Sequence, residues 1–440
     1  MKNTGFRQGR VSAVRLVLIA LAAGGLWAEF RAPAEAAPPA SIVPDTTGAI
    51  SELLLHFAPA SVEELHPLYQ DLFASLPPDV GVTVVCPNGE AISEFLLRWG
   101  HLASSGGREL NLLDAGMPVT IWARDRTIAR QQAGWNGPLE LFTPGLADFY
   151  DQTKENELLV SEILWIAHLG ETFWHSGLRV EGGNIVSNSR HVFIGMNVLS
   201  ENSRGMDAAS TQRLLQTFTG RPYLLIGDAA GRVPWDHLDM YVTPVGSDTI
   251  LVGSPALGAD LAGVPCDEQS AFDSVPADVA ACPSDALQAR FDDVADQFRS
   301  LGYAVSRTPM LCNPQEGWMV TYNNVLIEER AARGIVYMPV YRIPLLDEIA
   351  EVIYENLGFE VRTVDVSGIY VSGGALRCVA NVLRRRPGVA RPTVSAGLAS
   401  NTWLRSRGRE TIDLYRGRPR WYRGESRRPE FGGYVRETNR

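Results

Sequence analysis

Two rhythms of apolar and polar positions run along the chain. Short runs rich in β-branched residues recur at Val82–Val85, Pro118–Trp122, Val192–Gly195, Tyr223–Ile226, Thr249–Gly253, Val325–Glu328, Ile335–Tyr341 and Phe359–Val364, and each predicts a strand. Between several of them, apolar residues recur every three or four positions, which predicts helices over Ser61–Leu76, Glu90–Leu102, Ala208–Phe218, Ala286–Leu301 and Pro344–Leu357. Pro344 opens the last of these and Gly358 follows its end, the usual start and stop chemistry of a helix. The alternation defines an α/β chain. It carries no sustained heptads and no glycine-rich phosphate loop after a first strand.

The N-terminus departs from this pattern. Lys2, Arg7, Arg10 and Arg15 precede the apolar run Leu16 to Ala23, and Ala34-Glu35-Ala36 follows, the layout of a cleavable secretory leader. Residues 1–36 are therefore set apart, and export to the periplasm or beyond is expected. From Arg384 to Arg440 the chain is rich in Arg, Pro, Gly and Ser, which predicts a mobile tail able to touch an anionic surface. The expected folded body is thus residues 37–383. A net charge of −10 argues against nucleic acid as the main partner.

Five cysteines then acquire a meaning. In an oxidising compartment thiols pair, and an odd one is left over. Cys266 and Cys282 bracket a polar insertion (about residues 258–287) and are expected to close it. Cys86 with Cys312 is an expected second bridge, leaving Cys378 free, although connectivity does not follow from sequence.

Candidate chemistry recurs with a period. Asp125, Glu181, His237, Asn324 and Cys378 fall at strand ends, spaced 56, 56, 87 and 54 residues apart; the long gap holds the insertion. Five units of about 55 residues, each offering one polar side chain, imply a closed radial array around a shared centre. The local sequences are Trp122-Ala123-Arg124-Asp125, Glu181-Gly182-Gly183-Asn184, His237-Leu238-Asp239 and Gly373-Gly374-Ala375-Leu376-Arg377-Cys378. Carboxylates such as Asp125, Asp239 and Glu181 match the paired N–H groups of a guanidinium. Its central carbon resists water and needs a strong nucleophile, which a Cys378 thiolate supplies. His237 can protonate the departing nitrogen and then activate water. Each residue alone has a structural role open to it; their conjunction points to this chemistry.

These segments resemble the signature of the guanidino-group-modifying superfamily, which includes arginine, agmatine and peptidylarginine deiminases. The resemblance covers roughly residues 80–383, with Tyr322-Asn323-Asn324 similar to the Tyr-x-Asn segment of agmatine deiminases. It implies a pseudo-symmetric five-bladed α/β propeller with Cys378 as nucleophile and His237 as general acid and base. It further implies Asp125, Glu181, Asp239 and Asn324 as substrate-binding residues, with no metal and no cofactor. The substrate would be a small guanidino compound or a peptidyl-arginine, converted to a ureido group and ammonia. Three features depart from the agmatine deiminase pattern. Arg377 replaces the His that precedes the cysteine there, Ile185 to Ser189 lacks an acidic residue, and the chain carries a leader. An amidinotransferase on the same fold, or a non-catalytic exported binding protein, are the alternatives.

Overall fold

The computed structural model describes residues 14–17, 40–132, 137–145, 152–228, 230–262, 285–314, 317–330 and 334–388. The expected Cys266–Cys282 bridge and the tail beyond Gly388 lie outside these residues, as does the leader except for Val14–Val17.

The helices form where the periodicity places them, and their ends follow from local chemistry. The Asn88 side chain accepts from the Ala91 amide and starts Gly89–Ala103, whose Ile92, Phe95 and Trp99 are buried. Asp207 does the same for Ala208–Thr219, which stops at Gly220 with φ of 66°. Pro344 opens Pro344–Asn356, which turns Leu346, Ile349, Ala350, Ile353 and Tyr354 inward. Each large apolar side chain so buried contributes about 1.5–3 kcal/mol.

Five sheets share one pairing pattern. In each, a first strand runs antiparallel to a second, and a helical crossover then leads to a third strand parallel to the second. Ile128–Gln131, Leu139–Thr143 and Thr172–His175 form one such set. Ile185–Ser187, Val192–Gly195 and Tyr223–Ile226 form the next. Val242–Val245, Thr249–Ser254 and Ala304–Asn313 follow, with Trp318–Thr321 added at the edge. Leu326–Glu328, Gly334–Val340 and Phe359–Asp365 make the fourth. The fifth joins the two ends of the described chain: Ala380–Arg386 pairs antiparallel with Ala49–His56, which runs parallel to Gly81–Cys86 and on to Leu110–Asp114. Backbone of Val14–Val17, inside the expected leader, lies along the outer edge of Leu110–Asp114. No helix among the described residues is long and apolar enough to cross a membrane.

Three expectations change. Pro118–Trp122 is irregular rather than a strand, because its polar groups are claimed elsewhere. The Thr120 amide and hydroxyl both donate to Glu157 Oε1, and the Pro118 carbonyl accepts from Asn156. The body does not end at Leu383. Arg384 to Arg386 complete the closing strand, and Arg385 is 1% exposed, donating to the carbonyls of Asp45 and Gly48 at 2.7 and 2.9 Å. Cys86 and Cys312 are not bridged. Both are free, buried thiols on strands of different sheets, where burial pushes them up, Cys312 to about 12.

Candidate active site

All five periodic polar residues sit just before the first strand of a sheet, rather than after a strand's end. Asp125 precedes Ile128–Gln131, Glu181 precedes Ile185–Ser187, His237 precedes Val242–Val245, Asn324 precedes Leu326–Glu328 and Cys378 precedes Ala380–Arg386. Hydrogen bonds link these junctions in a closed cycle. The Arg124 amide donates to the Cys378 carbonyl (3.2 Å) and the Gly182 amide to the Asp125 carbonyl (3.1 Å). Asn184 Nδ2 donates to the Asp236 carbonyl (2.7 Å) and Asn324 Nδ2 to the Asp239 carbonyl (3.4 Å). Asn324 Oδ1 then accepts from the amides of Arg377 (2.7 Å) and Cys378 (3.3 Å), completing the cycle. The period of the sequence is the period of this ring.

At its centre the Cys378 thiol is 3% exposed and close enough to the His237 imidazole for each to shift the other's titration. The sulfur also lies 3.6 Å from Asn324 Oδ1 and 3.8 Å from the Met240 sulfur. Burial and the charges of Asp239 and Asp125 push the thiol up, against the pull of His237. His237 Nε2 meets Glu181 Oε2 at 2.5 Å, and the other carboxylate oxygen of Glu181 pairs with Arg126 Nη2 at 2.6 Å. Burial alone would depress His237, but its bonds to Cys378 and Glu181 and the charges of Asp125 and Glu181 lift it well above its ordinary value. These neighbours favour the imidazolium form. Burial works to raise Glu181, and its His237 bond and the charges of His237 and Arg126 outweigh that, bringing it down to about 2. Asp125 is different: burial, with the neighbouring Glu181 charge, raises it to about 7 despite His237 and Arg126. Its Oδ1 is buried without a hydrogen-bond partner.

Asp239 is brought to the same centre, fully buried, with its carboxylate turned to two cations. Its Oδ2 lies 3.2 Å from Arg377 Nε and 3.9 Å from Arg124 Nε. Arg124 therefore does not pair with its neighbour Asp125. Crowding by neighbouring side chains explains the second glycine of each pair. A side chain at Gly183 would place its Cβ 2.4 Å from His237 Nδ1, and one at Gly374 would lie 2.4 Å from the Trp122 ring. Trp122 and Trp235 are half-buried and pack on the cluster that holds Cys378, whereas Trp318 is core, edge-on to Tyr370 at 6.2 Å.

Asp125, Glu181 and His237 offer ligand atoms within 4.8 Å of one another, the one such cluster among the described residues. Both oxygens of Glu181 are already engaged by His237 and Arg126. A cation there would displace a proton and an arginine, so the cluster suits proton transfer better than metal ligation. Sequence reasoning did not single out Arg126, Met240 or Asp45. An Arg following Asp125 and a Met after His-x-Asp carry no periodic signal, and Asp45 lies about 80 residues before the first motif.

No family model matches the chain, and no curated protein matches it. Solved structures do. An agmatine deiminase of C. jejuni superposes with a TM-score of 0.56 at 15% identity, covering 80% of this chain and 98% of that one. A serine-substituted form of the same enzyme with substrate bound gives 0.56 at 14%, covering 80% and 97%. The agmatine deiminase of Enterococcus faecalis gives 0.54 at 12%, covering 79% and 96%. The chain is an α/β protein that shares the fold of these agmatine deiminases over nearly their whole length.

Proposed function

We propose that this chain is an exported, cysteine-dependent guanidino deiminase on a five-bladed α/β propeller. The observation that carries the reading is one centre in which His237, held by Glu181 at 2.5 Å, lies beside the buried Cys378 thiol, with the partnerless Asp125 Oδ1 next to them. The shared fold with agmatine deiminases supports it.

A substrate guanidinium would be held by Asp125 and by the field of Asp239. Glu181 orients His237, and Asn324 pins the nucleophile turn. These two are positioning residues rather than the substrate contacts expected of them, because their polar atoms are spent within the protein. The thiol cannot pass its proton to an imidazole that is already charged, so that proton leaves to solvent as the cationic substrate binds. The thiolate then adds to the guanidinium carbon, forming a C–S bond. His237 donates its proton to one nitrogen, the C–N bond breaks and ammonia departs, leaving a cationic amidino thioether on Cys378. The neutral imidazole next takes a proton from water as the oxygen adds to that carbon. The hydroxyl so formed gives its remaining proton to solvent as the C–S bond breaks, which returns the thiolate and leaves a ureido group. Trp122 and Trp235, half-buried against the cluster that holds Cys378, would flank the carbon chain of the substrate.

Release of ammonia and ureido product from agmatine, arginine and an arginine-containing peptide tests the proposal, alongside the folded Cys378→Ala variant. Release that vanishes in the variant is the expected outcome. Release that persists in it, or none from any substrate with the reduced protein folded, overturns the reading. Amidine appearing on an added amine instead of ammonia would move the assignment to amidine transfer.

A further inference from the structure

Beside the thiol lies a largely buried set of opposite charges, and one member comes from far outside the motifs. The segment from Ala40 to Gly48 passes under the ring, its carbonyls held by arginines: Arg221 at Ile42, and Arg385 at Asp45 and Gly48. Asp45 points from it into the protein, 6% exposed. Its Oδ2 accepts from the Ser187 amide (2.7 Å) and hydroxyl (3.3 Å), and its Oδ1 lies 2.6 Å from Arg377 Nη2 and 3.8 Å from Arg124 Nη2. The same two arginines face Asp239 through their Nε atoms, at 3.2 and 3.9 Å. Arg377 immediately precedes the nucleophile. Two cations are thus shared between two buried carboxylates, while Arg385, also beside Asp45, is tied to backbone carbonyls.

We infer that Asp45 is a positioning residue for the thiol site: by taking Arg377 and sharing Arg124, it leaves Asp239 negative charge to spend on a cationic substrate. The inference rests on the guanidino reading given above. Without Asp45, Arg377 and Arg124 have Asp239 as their shared acidic partner, and the layer gains one net positive charge a few ångströms from Cys378. Charge felt across so short a path through protein is worth a tenfold effect or more. A cation is then held less well both in the ground state and in the cationic thioether, which raises KM more than it lowers kcat. The thiol, facing His237, Asp125, Asp239 and Asn324, meanwhile ionises more readily.

The isosteric Asp45→Asn variant separates this from a purely structural role. Steady-state kinetics on whichever guanidino compound wild type turns over is expected to show KM raised about tenfold or more, with kcat within about threefold. Iodoacetamide alkylation, followed by mass at the Cys378 peptide, is expected to shift its midpoint about one pH unit lower. A loosened site would not produce opposite effects on substrate affinity and thiol ionisation. Should Asp45→Asn fail to fold, Arg124→Gln is compared with Arg124→Gln/Asp45→Asn, which restores the charge count; adding the Asn is again expected to raise KM and lower the midpoint. Unchanged KM and midpoint, or an upward move of the midpoint, would overturn the inference. If wild type turns over no guanidino compound, the enzymatic reading fails, while the alkylation midpoint still decides whether Asp45 sets the charge around Cys378.

Discussion

At the residue scale, the centre divides its carboxylates by task. Glu181 is ionised and spoken for, whereas Asp125 is raised to about 7 and keeps an unpartnered oxygen. Below that pH, Asp125 must shed its proton to meet a guanidinium. Substrate binding at pH 6 is therefore expected to release protons, measured by titration calorimetry in buffers of different ionisation enthalpy. Cys378→Ala removes the thiol's share and Asp125→Asn the carboxyl's. A binding heat independent of buffer would show that neither group is protonated in the free site. Crowding gives a second expectation. Gly183→Ala pushes a methyl onto His237, and misplacing that ring lowers kcat on the order of a hundredfold. The accompanying loss of stability is about 1–3 kcal/mol, readable by urea titration.

At the scale of elements, most helices were visible because each carries its own signals. Pro344 with Gly358 bounds one helix, and Asn88 and Asp207 cap two others, all within the element they serve. Strands were harder where their partner is remote. Ala49–His56 reads Ala-Ile-Ser-Glu-Leu-Leu-Leu-His, as suited to a helix, and only its neighbours Ala380–Arg386 and Gly81–Cys86 settle it. Composition misled at Arg384 to Arg386, where arginines usually mean solvent; burial of Arg385 is tolerated because backbone carbonyls of a segment more than 300 residues earlier accept from it. The motif residues were legible because their period survives in the chain, while Asp45 and Arg126 are recognisable only through what they touch. A chain ended after Leu383 loses these contacts, and one ended after Gly388 keeps them. The former is expected to melt on the order of 10 °C lower by differential scanning calorimetry. Equal melting temperatures would mean that the three arginines add nothing to closure.

For the whole molecule, the charged centre ties stability to pH. Glu181, near 2 when folded against an ordinary 4.5, stabilises fully above 4.5 and loses this as pH falls toward 2. His237, raised when folded, stabilises fully below its ordinary 6.5 and loses this as pH rises through its folded value. Asp125, raised to about 7, likewise favours the folded state at lower pH and loses this as pH climbs through 7. The melting temperature is therefore expected to fall between pH 6 and 9, and to fall less steeply in His237→Ala. A flat profile in wild type would contradict the charge assignments.

The pairing of Ala380–Arg386 with Ala49–His56 joins residues more than 300 positions apart, and Cys378 sits at the hinge of that last strand. Cys378 is among the last parts of the body to be synthesised, and the ring around it stays open until Ala49–His56 receives the closing strand. An unfinished or nicked chain thus carries every other motif without the closed ring, so the reactivity proposed for this sulfur would be armed by completion itself. Turnover regained after dilution from denaturant would report the final stitch of the ring, a clock hand fixed to the slowest step of assembly.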